Sequence, residues 1–210
     1  EDIAQPLLDA GYEEVESYHF EKKKLRAKHY QHASMPLVFI SELIVEEFSS
    51  ELQSIVRQLA SQMQFAEVAS SEFLYSGRHW DLSSAVYNRL LEESEYAAWL
   101  AAWGYRANHF TVSINHLSEF DCIENVNQTL KTAGHTLNSS GGEVKGNELV
   151  KLEQSSTLAD IAPVKFSDIT MEIPSCFYEF AKRYPTENGE LYTGFVAASA
   201  DKIFESTNAR

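Results

Sequence analysis

Apolar positions along the chain switch between helical and alternating spacing, and the switches mark its elements. Ile3, Leu7 and Leu8, closed by Gly11, predict a short helix with a glycine stop. Runs at 13–20, 25–32 and 37–45 then carry strand character, the last a nearly continuous apolar stretch suited to a buried strand. Helical spacing returns with Leu52, Ile55, Val56 and Leu59 on one face, behind Ser50 and Gln53 as a capping box. A less regular stretch at 65–81 leads to a long helical segment at 83–103, which Gly104 ends.

The second half repeats this order. A strand at 107–114 leads to a helix opened by Ser118 with Asp121 three residues on and stopped by Gly134. Strands follow at 149–156, 162–166 and 175–183, then a last helical segment at 199–205. The polar loop 138–146, with Gly141 and Gly142, is of the kind that often carries function. The two helix stops match, Ala10-Gly11-Tyr12 against Ala133-Gly134-His135. The second half therefore reads strand, helix, three strands, and the first half reads helix, three strands.

That repeat looks like the paired βαβββ modules of the vicinal-oxygen-chelate fold. The fold class is α+β, with the modules forming a cupped mixed sheet around one metal and extra helices beside it. The expected organisation is a first module at 1–48 that lacks its first strand, a helical connection at 49–104, and a second module with a C-terminal helix at 105–210, all one compact unit. The missing strand is expected before Glu1, and a chain opening on Glu rather than Met is expected to be a fragment or a processed form.

Composition narrows the chemistry. Of 210 residues, 44% are hydrophobic and 12% aromatic, enough for a sizeable core. The balance of 17 basic against 31 acidic side chains gives a formal charge of −14, which argues against nucleic acid and anionic membrane surfaces as partners. It leaves room for a small anionic substrate, because one metal or arginine dominates the field inside a pocket. Two cysteines without CxxC spacing, Cys122 and Cys176, argue against a disulfide framework and fit a reducing, cytoplasmic setting. No apolar run is long enough to span a bilayer and no signal peptide opens the chain. Common nucleotide, protease, esterase and calcium motifs are absent from the sequence.

His109 and Glu179 are the strongest candidate metal ligands. Alternation sets His109, Thr111 and Ser113 against Phe110, Val112 and Ile114, which by itself also describes a histidine on a solvated strand face. Glu179 interrupts an aromatic strand, where a carboxylate needs a metal or a partner such as Lys182 or Arg183. A further histidine would complete a two-histidine, one-carboxylate set with positions open to substrate and O₂. Glu42, at the position symmetric with Glu179, is either a ligand, an acid orienting a ligand, or an ion-pair partner. Gln154 and Ser155, with Ser156, either hydrogen-bond a substrate or form an exposed strand end; Thr111 and Arg183 are secondary candidates for substrate or ligand support. His19, His29 and His32 lie on adjoining strands, either as a metal cluster or within a basic, solvated hairpin.

The strings FISELIVEEFS, EESEYAAWLAAWGYRANHFTV, NSSGGEVKG, LEQSST, IPSCFYEFAKRYP and GFVAASADKIFEST together resemble the 2-oxoadipate dioxygenase/decarboxylase family, in its shorter branch. The resemblance covers nearly the whole chain. It implies a cupped fold related to hydroxyphenylpyruvate dioxygenases and a metal, Fe(II) with Zn, Ni or Mn as alternatives, held by two histidines and one glutamate. His109 matches the second histidine and Glu179 the glutamate. The first histidine and a substrate-binding arginine belong to a block this sequence lacks, expected upstream of residue 1. The implied partners are a 2-oxo acid and O₂, giving a 2-hydroxy acid and CO₂. A metal-dependent hydrolase or lyase on the same fold, and a non-catalytic binding protein, are the rival readings. Oligomeric state is not legible.

Overall fold

The computed structural model describes residues 2–63 and 71–207, so part of the stretch read as irregular at 65–81 lies outside the described residues. In chain order the elements are α1 (Gln5–Asp9), β1 (Glu13–Phe20), β2 (Leu25–Gln31), β3 (Val38–Leu43), α2 (Ser50–Ala60), α3 (Ser84–Glu93) and α4 (Glu95–Trp103). They continue with β4 (His109–Ser113), α5 (Ile123–Thr132), β5 (Lys145–Asn147), β6 (Leu152–Ser156), β7 (Ile161–Lys165), β8 (Thr170–Pro174), β9 (Phe177–Arg183) and α6 (Ala197–Ile203). The chain divides into two compact units, Glu1–Ala107 with Pro163–Ile173, and Asn108–Ala162 with Pro174–Arg210.

In the first unit β1, β2 and β3 form an antiparallel sheet in that order. Helices α2, α3 and α4 share a core with the β7–β8 hairpin, built on Leu52, Leu82, Leu90, Ala98, Val164 and Ile173. Each fully buried leucine there contributes about 2 kcal/mol. The single helix expected at 83–103 is two helices. Ser94 has extended backbone, φ −153° and ψ 110°, and its hydroxyl accepts from Ala97 N, so it ends α3 and caps α4. The α2 cap is Ser49 rather than Ser50, accepting from Leu52 N at 3.1 Å. Gly104 ends α4 at φ +69°, where a Cβ would lie 2.2 Å from Gly77 O, so no other residue fits.

In the second unit the sheet order is β4-β9-β6-β5, with β4 parallel to β9 and the other pairs antiparallel. Helix α5 packs Ile123 and Val126 with Ile114 and Phe180. It begins at Ile123 with no side-chain cap, so Ser118 and Asp121 do not form its cap. The fourth strand of this module is not the segment expected at 162–166, which pairs with β8 in a separate hairpin. It is β5, inside the loop read as functional. There Gly146 at φ +78° lets the chain pass Leu152 O, which a Cβ would approach to 2.1 Å. Residues 149 and 150 leave the strand because Asn147 Oδ1 accepts from both their amides and closes a 3₁₀ turn.

The repeat is visible in detail. Gly11 has φ +92° and Gly134 φ +91°. Tyr12 N donates to Leu7 O and His135 N to Leu130 O, both at 3.0 Å, so α1 and α5 end in the same hydrogen-bonded stop. After each stop come three antiparallel strands in matching order, β1-β2-β3 and β5-β6-β9. Among the described residues, β4 has a counterpart position beside β3 but no counterpart strand.

Candidate metal centre

The parallel register sets His109 beside Phe177 and Thr111 beside Glu179. On the other side of β9, Ser156 faces Glu179 and Gln154 faces Ala181. Alternation then puts His109, Thr111, Glu179, Gln154 and Ser156 on one face of the sheet. The face is buried at Glu179, Gln154 and Ser156 and opens toward β4, where His109 is half-buried and Thr111 exposed. The opposite face carries α5 over Ile114 and Phe180, with Phe110 exposed at its margin.

Glu179 Oε2 lies 3.1 Å from His109 Nε2 and accepts from Thr111 Oγ at 3.1 Å. Glu179 Oε1 accepts from Gln154 Nε2 at 2.5 Å. Burial pushes the Glu179 pKa up, but the hydrogen bond and charge of His109, helped by Gln154 and Thr111, outweigh it and hold the carboxyl below its ordinary range. The histidine ring stacks on Phe177, centroids 4.6 Å apart, and its Nδ1 meets Asn108 Oδ1 at 3.1 Å. An acceptor at Nδ1 places the ring proton there and turns the bare Nε2 toward a carboxylate oxygen. Two lone pairs facing each other need a cation between them or a second ring proton.

The donor set fits a metal. Ligands bonded at about 2.1 Å to one ion at near right angles stand about 3 Å apart, the spacing found between His109 and Glu179. Nitrogen with carboxylate oxygen suits Fe(II) or Zn(II). Among the described residues no third His, Cys, Asp or Glu joins the pair.

The secondary candidates divide. Thr111 and Gln154 both hold the Glu179 carboxylate. Ser155 points the other way, donating to Asn127 Oδ1 at 2.7 Å beneath α5, because neighbouring strand residues alternate faces. Arg183 donates to the carbonyls of Tyr192 and Gly194 at 2.8 Å each and lies over the Phe195 ring. Glu42, in the first unit, makes an exposed two-point ion pair with Arg26 at 2.7 and 3.1 Å, which lowers its pKa. It is an ion-pair partner, on the surface. His29 is buried between Tyr18 and Gln31, and His32 accepts from the amides of Ser34 and Met35. With His19, these do not form a metal cluster among the described residues.

Two supporting residues escaped the alternation argument. Asn108 is the immediate neighbour of His109, and its type was the available signal. Phe177 becomes a neighbour only through the β4–β9 register. In the polar loop, Asn138 is 2% exposed, donates to Lys202 O and Ser206 Oγ, and its carbonyl accepts from Lys145 Nζ at 2.6 Å. That loop is locked to α6 by these bonds.

Comparison with known proteins agrees with the resemblance. A family model described as 2-oxoadipate dioxygenase/decarboxylase matches residues 1–190. A crystal structure from Shewanella frigidimarina NCIMB 400, carrying only a provisional hydrolase label, is 60% identical with TM-score 0.91, covering 93% of this chain and 78% of that one. The hydroxyglutarate synthase of Oryza sativa, solved in complex with 2-oxoadipate, is 32% identical with TM-score 0.87, covering 99% and 75%. A glyoxalase superfamily protein of Ralstonia eutropha JMP134 shares the fold, at 21% identity and TM-score 0.68 over 91% and 67% of the two chains. The chain spans 63% and 64% of the length of two curated plant relatives, 34% and 36% identical to it and named 2-oxoadipate dioxygenase/decarboxylase with plastid locations. Among the described residues no helix is long and apolar enough to cross a membrane.

Proposed function

The chain belongs to the 2-oxoadipate dioxygenase/decarboxylase family, and from that premise we propose that His109 and Glu179 are two protein ligands of an Fe(II) ion in an enzyme acting on a 2-oxo acid. One 2-oxo acid and one O₂ give one CO₂ and a 2-hydroxy acid shorter by one carbon, a balance that needs no external reductant. The observation that carries this reading is the 3.1 Å approach of half-buried His109 Nε2 to the buried Glu179 Oε2. The 2-oxoadipate held by the rice relative supports the substrate class.

When bound, Fe(II) supplies the affinity for a chelating oxo acid and the redox chemistry with O₂. The chain's own residues prepare the site. Asn108 holds the ring proton on Nδ1 and Phe177 fixes the ring plane, so Nε2 is presented as a lone pair. Thr111 and Gln154 fix the carboxylate's orientation by donating to its two oxygens. Burial of Glu179, Gln154 and Ser156 keeps water from the floor of the site.

The test measures O₂ uptake and CO₂ release from 2-oxoadipate by the Fe(II)-loaded full-length protein and by His109→Ala. Turnover in the parent, lost in the variant, is expected. Unchanged turnover in metal-verified His109→Ala would refute the ligand role. Anaerobic turnover with Zn(II), and none with Fe(II) in air, would instead establish a hydrolase or lyase.

A further inference from the structure

Gln154 is bonded in an unusual way for a buried amide. It is 3% exposed, its Nε2 donates to Glu179 Oε1 at 2.5 Å, and its own Oε1 has no hydrogen-bond partner among the described residues. Turning the amide over would set two acceptor oxygens against each other. The ionised carboxylate therefore dictates the amide's orientation, at the expense of an unsatisfied buried acceptor, which folds normally avoid. A residue serving the core alone has a better solution in Leu or Met, so the amide is there for Glu179.

The two carboxylate oxygens are treated differently. Oε1 is taken by Gln154, whereas Oε2 takes the longer Thr111 bond and is the oxygen that meets His109. We infer that Gln154 is a positioning residue that makes Glu179 a one-oxygen ligand, keeping a coordination position open that the second oxygen would otherwise fill. The count matters for the chemistry. In a six-coordinate site, three protein ligands and a chelating 2-oxo acid leave one position for O₂. A carboxylate binding through both oxygens would close it. This inference rests on the metal reading of His109 and Glu179.

The experiment loads the full-length protein with Mn(II) and measures water-proton relaxation per bound ion, which counts exchangeable positions, together with 2-oxoadipate affinity. Gln154→Met keeps the volume and removes the donor. It is expected to bind Mn(II) as well as the parent, to lose about a third of the relaxation enhancement, and to bind 2-oxoadipate about tenfold more weakly. Thr111→Val, which frees Oε2 instead, is expected to keep the parent's relaxation per ion. Parent-like relaxation and affinity in Gln154→Met overturn the inference. So does a joint fall of Mn(II) affinity and Tm with relaxation per ion unchanged, the mark of a merely structural residue. If Gln154→Met does not fold, Gln154→Asn, one methylene too short to reach Oε1, is read by the same criteria. Failure of the parent itself to bind Mn(II) would sink the metal reading, and is distinguishable because it precedes any substitution.

Discussion

Thr111 and Glu179 stand side by side across the parallel pairing of β4 with β9, and the Thr111 hydroxyl donates to Glu179 Oε2 at 3.1 Å. His109, one pleat earlier on the same face, brings Nε2 to the same oxygen. The candidate ligands are thus a diagonal pair created by strand register, and a slip of one residue would send both to opposite faces.

The ring orientation depends on Asn108. Asn108→Ala frees Nδ1 and is expected to weaken metal binding about tenfold, with Tm barely moved because the residue is near the surface. Asn108→Asp, which keeps an acceptor at Nδ1, should retain affinity. Anaerobic calorimetric titration of Fe(II) distinguishes them; equal affinity in Asn108→Ala would remove Asn108 from the account.

Ser155 belongs to the core beneath α5. Ser155→Ala leaves Asn127 Oδ1 without its donor and should cost about 1–3 kcal/mol in urea unfolding. Metal affinity should be unchanged. A variant that keeps stability and loses metal would return Ser155 to the site.

How much of this was legible follows from what each pattern encodes. Alternation along β4 and β9 correctly grouped His109 with Thr111, but it could not tell which face was protected. That depends on the packing of Ile203 in α6 against Phe177 and on the β4–β9 pairing, which are long-range. The matched stops at Gly11 and Gly134 revealed the repeat because a left-handed residue after a helix is a local requirement that glycine meets. The strand β5 stayed hidden in a polar loop, since Lys145, Gly146 and Asn147 have no strand propensity and pair only because β6 offers a free edge. Glu42 matched Glu179 by position alone. Arg26, its register partner on β2, decides its role, and that pairing is not written in the local sequence.

Glu42 therefore separates position from chemistry. Glu42→Gln breaks an exposed ion pair and is expected to leave Fe(II) affinity unchanged and Tm within about 2 °C of the parent. Loss of metal in this variant, measured by elemental analysis, would show that symmetry with Glu179 carries function after all.

Lys145 gives the second unit a pH signature. Burial lowers its pKa below 10.5, against the smaller opposing pull of Glu143 and Glu205. The folded chain releases this proton more readily than the unfolded chain, so between the lowered pKa and 10.5 the unfolded state binds more protons. Stability from this group rises with pH across that window. Relative to Lys145→Met, the parent should gain in urea midpoint as pH is raised from neutral toward 10.5. A difference between the two proteins that is constant with pH would contradict this.

The central claim is that His109 and Glu179 share one metal ion. Elemental analysis of the full-length protein, His109→Ala and Glu179→Gln, each loaded anaerobically with Fe(II) and freed of unbound ion, addresses it most directly. The account predicts close to one iron per chain in the parent and about a tenth of that or less in each variant. Full iron retained in both variants would contradict it.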